Sequence, residues 1–230
     1  MDFDFITGEL LLIDKPIDWT SFDAVNKIRR LISRTIGVRL KVGHAGTLDP
    51  KATGLLLICT GGMTKQINRF MELDKEYTGT FFLGATTPSC DSETEPVPCS
   101  TTMHPAPEIL HATAQKFTGD IQQVPPLYSA KKIEGKRAYT LARKNRDIYL
   151  PPVPVTIHTF EITRFEYPEV DFLVNCSKGT YIRSLARDFG EALGTGAYLS
   201  SLRRTRIGSY AVSDAISISQ FETLMQIMKK

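Results

Sequence analysis

No stretch of the chain is apolar for long enough to cross a membrane. A spanning helix needs about 20 such residues, and the longest apolar runs here, Leu10–Ile13 and Leu55–Cys59, have strand length. No CxxC pair occurs either. Cys59, Cys90, Cys99 and Cys176 stand far apart, which argues against a zinc ribbon or a disulfide framework and points to a reduced compartment. The four histidines (His44, His104, His111, His158) lack ligand spacing, so neither a metal nor a redox cofactor is expected. The charge balance is nearly even: 28 Lys and Arg against 25 Asp and Glu, a formal net charge of +3. That permits a polyanionic partner without demanding one. The N-terminus, Met1-Asp2-Phe3-Asp4-Phe5, lacks a basic segment followed by an apolar core, so no secretory leader is expected and the cytoplasm is the expected location. With 230 residues, 42% of them hydrophobic, the chain can bury a core as one large domain.

Against these absences one stretch stands out. Gly43-His44-Ala45-Gly46-Thr47-Leu48-Asp49-Pro50-Lys51-Ala52-Thr53-Gly54-Leu55 surrounds one carboxylate with three glycines and a proline. Glycine opens backbone conformations closed to other residues, and Pro50 fixes its own φ while pushing Asp49 towards an extended conformation. Asp49 is therefore expected on a stiffened loop, anchored by the apolar run that follows. Asp before Pro is also an ordinary turn device, so spacing alone leaves both readings open.

The remaining chain reads as alternating strands and helices. Gly8–Lys15 is a strand ended by Pro16. Thr20 or Ser21 caps a helix to about Ser33, with Phe22, Val25, Ile28 and Leu31 or Ile32 on its apolar face. Gly61–Lys65 turns into a short helix, and Lys75–Gly84 is a β-rich strand. Residues 91–104, rich in Pro, Ser, Thr and acidic residues, are expected as a surface connection. Pro107–Phe117 is a helix with Ile109, Leu110, Ala114 and Phe117 on its apolar side. Pro151–Pro154 is a stiff link, and Val155–Phe165 and Val170–Cys176 are neighbouring strands. Thr180 caps the next helix, whose apolar stripe is Ile182, Leu185, Ala186, Phe189 and Leu193, and Gly194 stops it. In that register Tyr181 and Arg183 lie beside the stripe, a place where an arginine is ordinarily a surface one. A final helix spans about Ser217 to Met228.

Two segments are locally basic. Arg29, Arg30, Arg34, Arg39 and Lys41 lead into the Asp49 loop with no acidic residue among them. They read equally as a solvated face or as a phosphate-contacting approach. Between Lys131 and Arg146 seven basic residues face one acidic residue, Glu134, with Tyr128 and Tyr139 interleaved. Clustered cations displace counterions from a phosphate backbone and aromatics stack on bases, so this is the strongest local footprint for a nucleic acid.

The string His-Ala-Gly-Thr-Leu-Asp-Pro-x-Ala-Thr-Gly-Leu-Leu from His44 resembles the catalytic-aspartate motif of the TruB family of tRNA pseudouridine synthases. Further segments resemble that family in order. They are Lys15-Pro16 with the capped helix, Lys75-x-Tyr77 through Leu83-Gly84-x-x-Thr87-x-x-x-Asp91, Pro125-Pro126-x-Tyr128-Ser129-Ala130-x-Lys132-x-x-Gly135-x-Arg137, Ser177-Lys178-Gly179-Thr180-Tyr181-Ile182-Arg183, and Leu199–Thr205. After Asp91 the chain departs from the pattern: family members commonly continue with glycine, and here Ser92 follows.

The resemblance implies an α/β (α+β) fold with a mixed, mainly antiparallel central sheet flanked by helices. It implies a single catalytic domain over 1–230 with a thumb inserted at 117–151 that grips RNA, and too few residues after Tyr210 for the family's C-terminal PUA domain. It implies isomerisation of uridine 55 in the T loop of tRNA to pseudouridine, without metal or cofactor; a monomer is the default expectation. Asp49 would act as nucleophile, or as the base that generates a glycal. Arg183 would pair with it. Tyr77 would stack on the uracil and help remove the C5 proton. Tyr181 and Leu202 would line the pocket, and His44 would fill the space left by the flipped base. Asp91, Lys132 and Arg137 complete the substrate-binding set. Two rivals remain at this stage: an RNA-binding or folding module without catalysis, and a sibling synthase with another RNA target.

Overall fold

The computed structural model describes residues 3–100, 104–128, 132–133, 136–137 and 150–228. In chain order the elements are β1 (Leu10–Lys15), α1 (Ser21–Ile36), β2 (Val42–His44), β3 (Ala52–Thr60), α2 (Ile67–Glu72), β4 (Lys75–Leu83), β5 (Ala85–Thr86), β6 (Val97–Pro98), α3 (Pro107–Lys116) and β7 (Gly119–Gln123). Then come β8 (Lys132–Ile133), β9 (Lys136–Arg137), β10 (Val153–Glu166), β11 (Glu169–Cys176), α4 (Ile182–Leu193), β12 (Ala197–Ile207), β13 (Tyr210–Ala211), β14 (Ile216–Ser217) and α5 (Ile218–Met228). The chain divides into two compact units, Met1–Tyr77 with Leu202–Lys230, and Thr78–Ser201.

In the first unit the strand order is β14-β1-β3 followed by the C-terminal half of β12, with β2 also on β3 and β13 on β12. β1–β14 and β3–β12 run parallel, while β1–β3 and β2–β3 run antiparallel. β3 is apolar nearly throughout because both of its faces are covered. Leu56 and Ile58, with Leu11 and Ile13, meet α1 and α5 through Ala24, Val25, Ile28, Ile32 and Phe221. Leu55, Leu57 and Cys59 pack on the other face with Ala45, Phe70 and Ile207. Helix α1 begins with a reciprocal capping box between Thr20 and Asp23 and ends on Gly37 in the left-handed conformation. Phe22, expected on the apolar face, is 63% exposed. The buried arc runs through Ser21, Ala24, Val25, Ile28, Leu31 and Ile32, one position away from Phe22, because the sheet below selects which arc of the helix it covers.

In the second unit the order is the N-terminal half of β12, then β4-β11-β10-β7. β10 pairs antiparallel with both β11 and β7. Phe81, Phe160, Phe172 and Phe189 form an aromatic centre with ring centroids 4.2 to 6.4 Å apart, within the range where such pairs add to simple area burial. Three expectations are corrected here. Ile109 on α3 is 53% exposed, and Leu110, Thr113 and Ala114 form the buried side instead. The stiff link is partly strand: β10 already starts at Val153, and Pro154 pairs with Gln122 of β7, a strand that composition did not reveal. Helix α4 is capped by Tyr181, not Thr180, whose hydroxyl donates to the Ser177 carbonyl at 2.9 Å. The expected stripe of α4 is buried in full and Gly194 ends it. No described helix is long and apolar enough to cross a membrane.

Candidate active site

The first unit supplies the Asp49 loop. It leaves β2 at His44 and enters β3 at Ala52, and its backbone is fastened at several points. Ser21, buried at the start of α1, accepts from the Leu48 N–H at 2.8 Å and donates to the Leu48 carbonyl at 3.0 Å. The Ala45 N–H donates to Leu57, the Asp18 N–H to Pro50, and the Ala52 N–H to the Asp49 carbonyl at 3.1 Å. The half-buried Asp49 side chain therefore projects from a loop whose backbone bonds are made elsewhere.

Two buried cations back this loop, and sequence reading gave neither a role. Lys15 is fully buried and donates to the carbonyls of Trp19, Pro16 and Pro50 at 2.7, 2.9 and 3.4 Å. Burial pushes its ammonium down to about 8, opposed chiefly by the charge of Asp49 and reinforced by that of Arg204. Arg204 is 1% exposed and donates to the carbonyls of Leu55 at 2.8 Å and Gly46 at 3.1 Å. The Gly54 of the motif faces Arg204 in the β3–β12 register. A Cβ there would lie 2.3 Å from the Arg204 carbonyl oxygen, and its φ is +101°, so glycine is required on both counts. A signal for Lys15 was present in the sequence. Leu11, Ile13 and Lys15 fall on the same side of β1 by period two, so the lysine continues the buried face.

His44 is mostly enclosed. Burial, then the Arg204 charge, hold its imidazole below the usual histidine range while a backbone bond to Gly46 opposes them, so the ring is neutral at pH 7. Leu202 pairs with Ala52 in the parallel register, three residues from Asp49, and is half-buried. Tyr77 sits on β4 at 9% exposure. The first unit thus brings His44, Asp49 and Leu202 to one neighbourhood.

The second unit supplies Arg183, Tyr181 and Asp91. Arg183 is not a surface residue: it is 5% exposed in the first turn of α4. Its Nε lies 3.5 Å from Asp91 Oδ2, and it donates to the Ser89 carbonyl at 3.3 Å and the Tyr128 carbonyl at 3.1 Å. Asp91, expected on a surface connection, is 4% exposed. It accepts from the Glu93 N–H at 3.0 Å, and its own carbonyl accepts from Thr87 and Ser89 hydroxyls. The local composition concealed this burial, since a buried carboxylate is permitted only by a partner distant in sequence.

Tyr181 is held through its backbone by the buried amide of Gln123, which accepts from Tyr181 N–H at 2.8 Å and donates to its carbonyl at 3.1 Å. Ser184 and Arg187 donate to the Val124 carbonyl at 2.8 and 3.0 Å. The first turns of α4 therefore grip residues 123–128, the base of the expected thumb. Of that thumb, β8 and β9 pair antiparallel with Lys132 opposite Arg137. The side chains of Lys132 and Arg137, and the rest of the basic cluster with Tyr139, lie outside the described residues.

One consequence of the buried lysine is measurable. Between about pH 8 and the ordinary lysine range near 10.4, the unfolded chain keeps a proton on Lys15 that the folded chain has lost. Stability then rises with pH. The penalty for burying the ammonium is fully present below pH 8 and gone above the unfolded value. Wild type minus Lys15→Met, measured by urea unfolding at pH 7 to 10.5, is expected to shift in favour of wild type by on the order of 3 kcal/mol. A difference independent of pH would show that the ammonium is not desolvated.

The comparisons with known proteins agree with one another. The TruB family pseudouridylate synthase (N terminal domain) model matches residues 32–182, and the tRNA pseudouridylate synthase B C-terminal domain model matches 183–230. The chain is 52% identical over 225 residues to the tRNA pseudouridine synthase B of Flavobacterium johnsoniae, covering 97% of this chain and 98% of that protein. It is 51% identical to that of Phocaeicola vulgatus (94% and 93% covered) and 49% identical to that of Chloroherpeton thalassium (97% and 90%). Among solved structures, a chain of a Cbf5-Nop10-Gar1 complex aligns with TM-score 0.73 and 25% identity, covering 98% of this chain and 56% of that one. The fold, the Asp49 loop and both family models lead to one assignment: the chain belongs to the TruB family of pseudouridylate synthases.

Proposed function

We propose that the chain isomerises uridine 55 in the T stem-loop of tRNA to pseudouridine, as a monomer in the cytoplasm. The curated relatives named tRNA pseudouridine synthase B, about half identical over nearly the whole chain, support this reading. The observation that carries it is the Asp49 loop: a carboxylate on a backbone fixed by Ser21, Pro50 and Ala52, with Lys15 and Arg204 behind it. Nearby cations favour the ionised carboxylate that the chemistry needs.

The reaction breaks the N1–C1′ bond, turns the uracil and joins C5 to C1′. N1 gains a proton and C5 loses one, so no net oxidation occurs. Asp49 acts on the sugar either by attacking C1′ or by taking a proton to generate a glycal, and both routes require the carboxylate ionised. Arg183 is assigned as its guanidinium partner by the motif Ser-Lys-Gly-Thr-Tyr-Ile-Arg. A planar fork orients a carboxylate by paired hydrogen bonds and opposes the rise in its pKa on burial. Tyr77 stacks on the uracil and assists loss of the C5 proton, while Tyr181 and Leu202 line the pocket. A neutral His44 ring fills the gap left by the flipped base, for which an uncharged ring is suited. Asp91 serves by holding Arg183. Lys132 and Arg137 contact phosphates from the thumb within one catalytic domain.

The test is incubation of an unmodified tRNA transcript with the protein, followed by mapping of pseudouridine. Product at position 55 is expected. Product at another position would replace the substrate and keep the chemistry. Binding without product on any RNA would favour a non-catalytic module.

A further inference from the structure

Beside the Asp49 loop, a groove of about 390 Å3 is lined by Asp18, Trp19, Asp23, Asn26, Lys27 and Arg30. It belongs to the first unit and is tied to the catalytic loop twice: the Asp18 N–H donates to the Pro50 carbonyl, and Lys51 pairs with Asp18 at 2.8 Å. Three observations bear on what it holds. Its wall carries an indole, and Phe22 and Ile17, next in sequence to its lining residues Asp23 and Asp18, are 63% and 55% exposed and contribute nothing to the core. Its anionic groups are already engaged, Asp18 by Lys51 and Asp23 by the Thr20 cap. Its donors are not. Arg30 has no carboxylate partner among the described residues, and the Asn26 carbonyl oxygen accepts from Arg29, which leaves the amide NH2 to donate outward. Along α1 the residues Phe22, Asn26, Arg29, Arg30 and Arg34 share the side opposite the buried arc. From Phe22 to Arg34 this side extends about 18 Å.

An open groove with an aromatic wall, an amide donor and a row of guanidinium groups that have no carboxylate partner among the described residues is complementary to unpaired nucleotides: aromatic faces take bases, and the cations take phosphates. We propose that this groove and the outer face of α1 form a second RNA contact, in which a base of the substrate outside the target uridine stacks on Trp19 or Phe22 while Arg30 and Arg34 hold the adjoining phosphates. The proposal rests on the reading of the chain as an enzyme acting on RNA. It also explains why a helix so close to the catalytic loop keeps a phenylalanine in water.

Trp19 is the sole tryptophan, so its emission reports on this groove without any label. The full chain is titrated with an unmodified tRNA transcript while binding is followed in parallel by filter retention. Saturable quenching of Trp19 with the same midpoint as retention is expected. Arg30→Glu is expected to raise Kd and KM about ten-fold with kcat within about two-fold, and to lower the slope of log K against log salt by about 0.7 or more. Phe22→Ala is expected to weaken binding about five-fold or more. Both positions are outside the core, so both variants fold. Retention of the transcript with unchanged Trp19 emission, and with both variants binding as wild type does, overturns the proposal and leaves the groove to a partner other than RNA. The two readings fail separately. Quenching without product on any RNA would sink the synthase assignment and keep the groove, whereas product at uridine 55 with neither quenching nor any effect of the two variants on binding would do the reverse.

Discussion

Asp49→Asn is expected to reduce single-turnover pseudouridine formation by at least ~10⁴-fold, the scale on which a group acting directly on the reacting bond is lost, while leaving the fold unchanged. The substitution keeps size and shape and removes only the charge. The loop backbone is fastened without that charge, by bonds from Ser21 to Leu48, from Asp18 to Pro50 and from Ala52 to the Asp49 backbone carbonyl, although the charge also offsets the burial of the Lys15 ammonium. A cooperative melting transition that persists after the counter-charge to Lys15 is removed, with RNA retention preserved, would isolate the loss to chemistry. The mechanism would not survive a variant that keeps activity within ten-fold of wild type, since neither nucleophilic attack nor glycal formation can proceed from an amide. It would then follow that Asp49 is the turn residue its Pro50 neighbour also permits.

Arg183→Met is expected to be costly in two separable ways. Its guanidinium is 5% exposed, faces Asp91 at 3.5 Å and donates to two backbone carbonyls, Ser89 and Tyr128. Removing it leaves a buried carboxylate without this cation, which typically costs about 3–5 kcal/mol. It also loosens Tyr128, whose carbonyl accepts from Arg183, at the base of the proposed thumb. The double variant Arg183→Met with Asp91→Leu removes both ions, and replacing a whole buried pair by apolar groups is often neutral. Urea unfolding should therefore show most of the stability returning in the double variant. Activity on the tRNA transcript should not return if Arg183 also serves Asp49. Recovery of both together would reduce Arg183 to a structural role. Arg183→Lys should retain more stability than Arg183→Met but little activity, because an ammonium cannot reproduce a planar two-pronged contact.

The order of elements was legible from local chemistry. Leu10–Lys15 by its turn at Pro16, α1 by its cap at Thr20 or Ser21, and α4 by its stripe ending at Gly194 all follow from periodicity and capping, which are properties of neighbours in sequence. So was the Asp49 loop, because glycines and a proline at that spacing leave few backbone conformations. What stayed hidden depended on partners far along the chain. Phe22 and Ile109 were placed on buried faces because periodicity locates an apolar arc only to within a residue or so, and the surface beneath decides which arc is covered. Short β7 was missed because Gly119-Asp120-Ile121-Gln122-Gln123 carries no strand composition, and pairing with β10 supplies its backbone bonds. Arg204, Gln123 and Asp91 are polar residues that composition assigns to the surface. Each is buried because a partner elsewhere satisfies it: the Leu55 and Gly46 carbonyls, the Tyr181 backbone, and Arg183. The sequence by itself determined most of the longer elements, the loop that holds Asp49 and the family. Only the tertiary structure decided which charges are taken out of water, because the cost of burying a charge is met by groups that adjacency in sequence does not reveal.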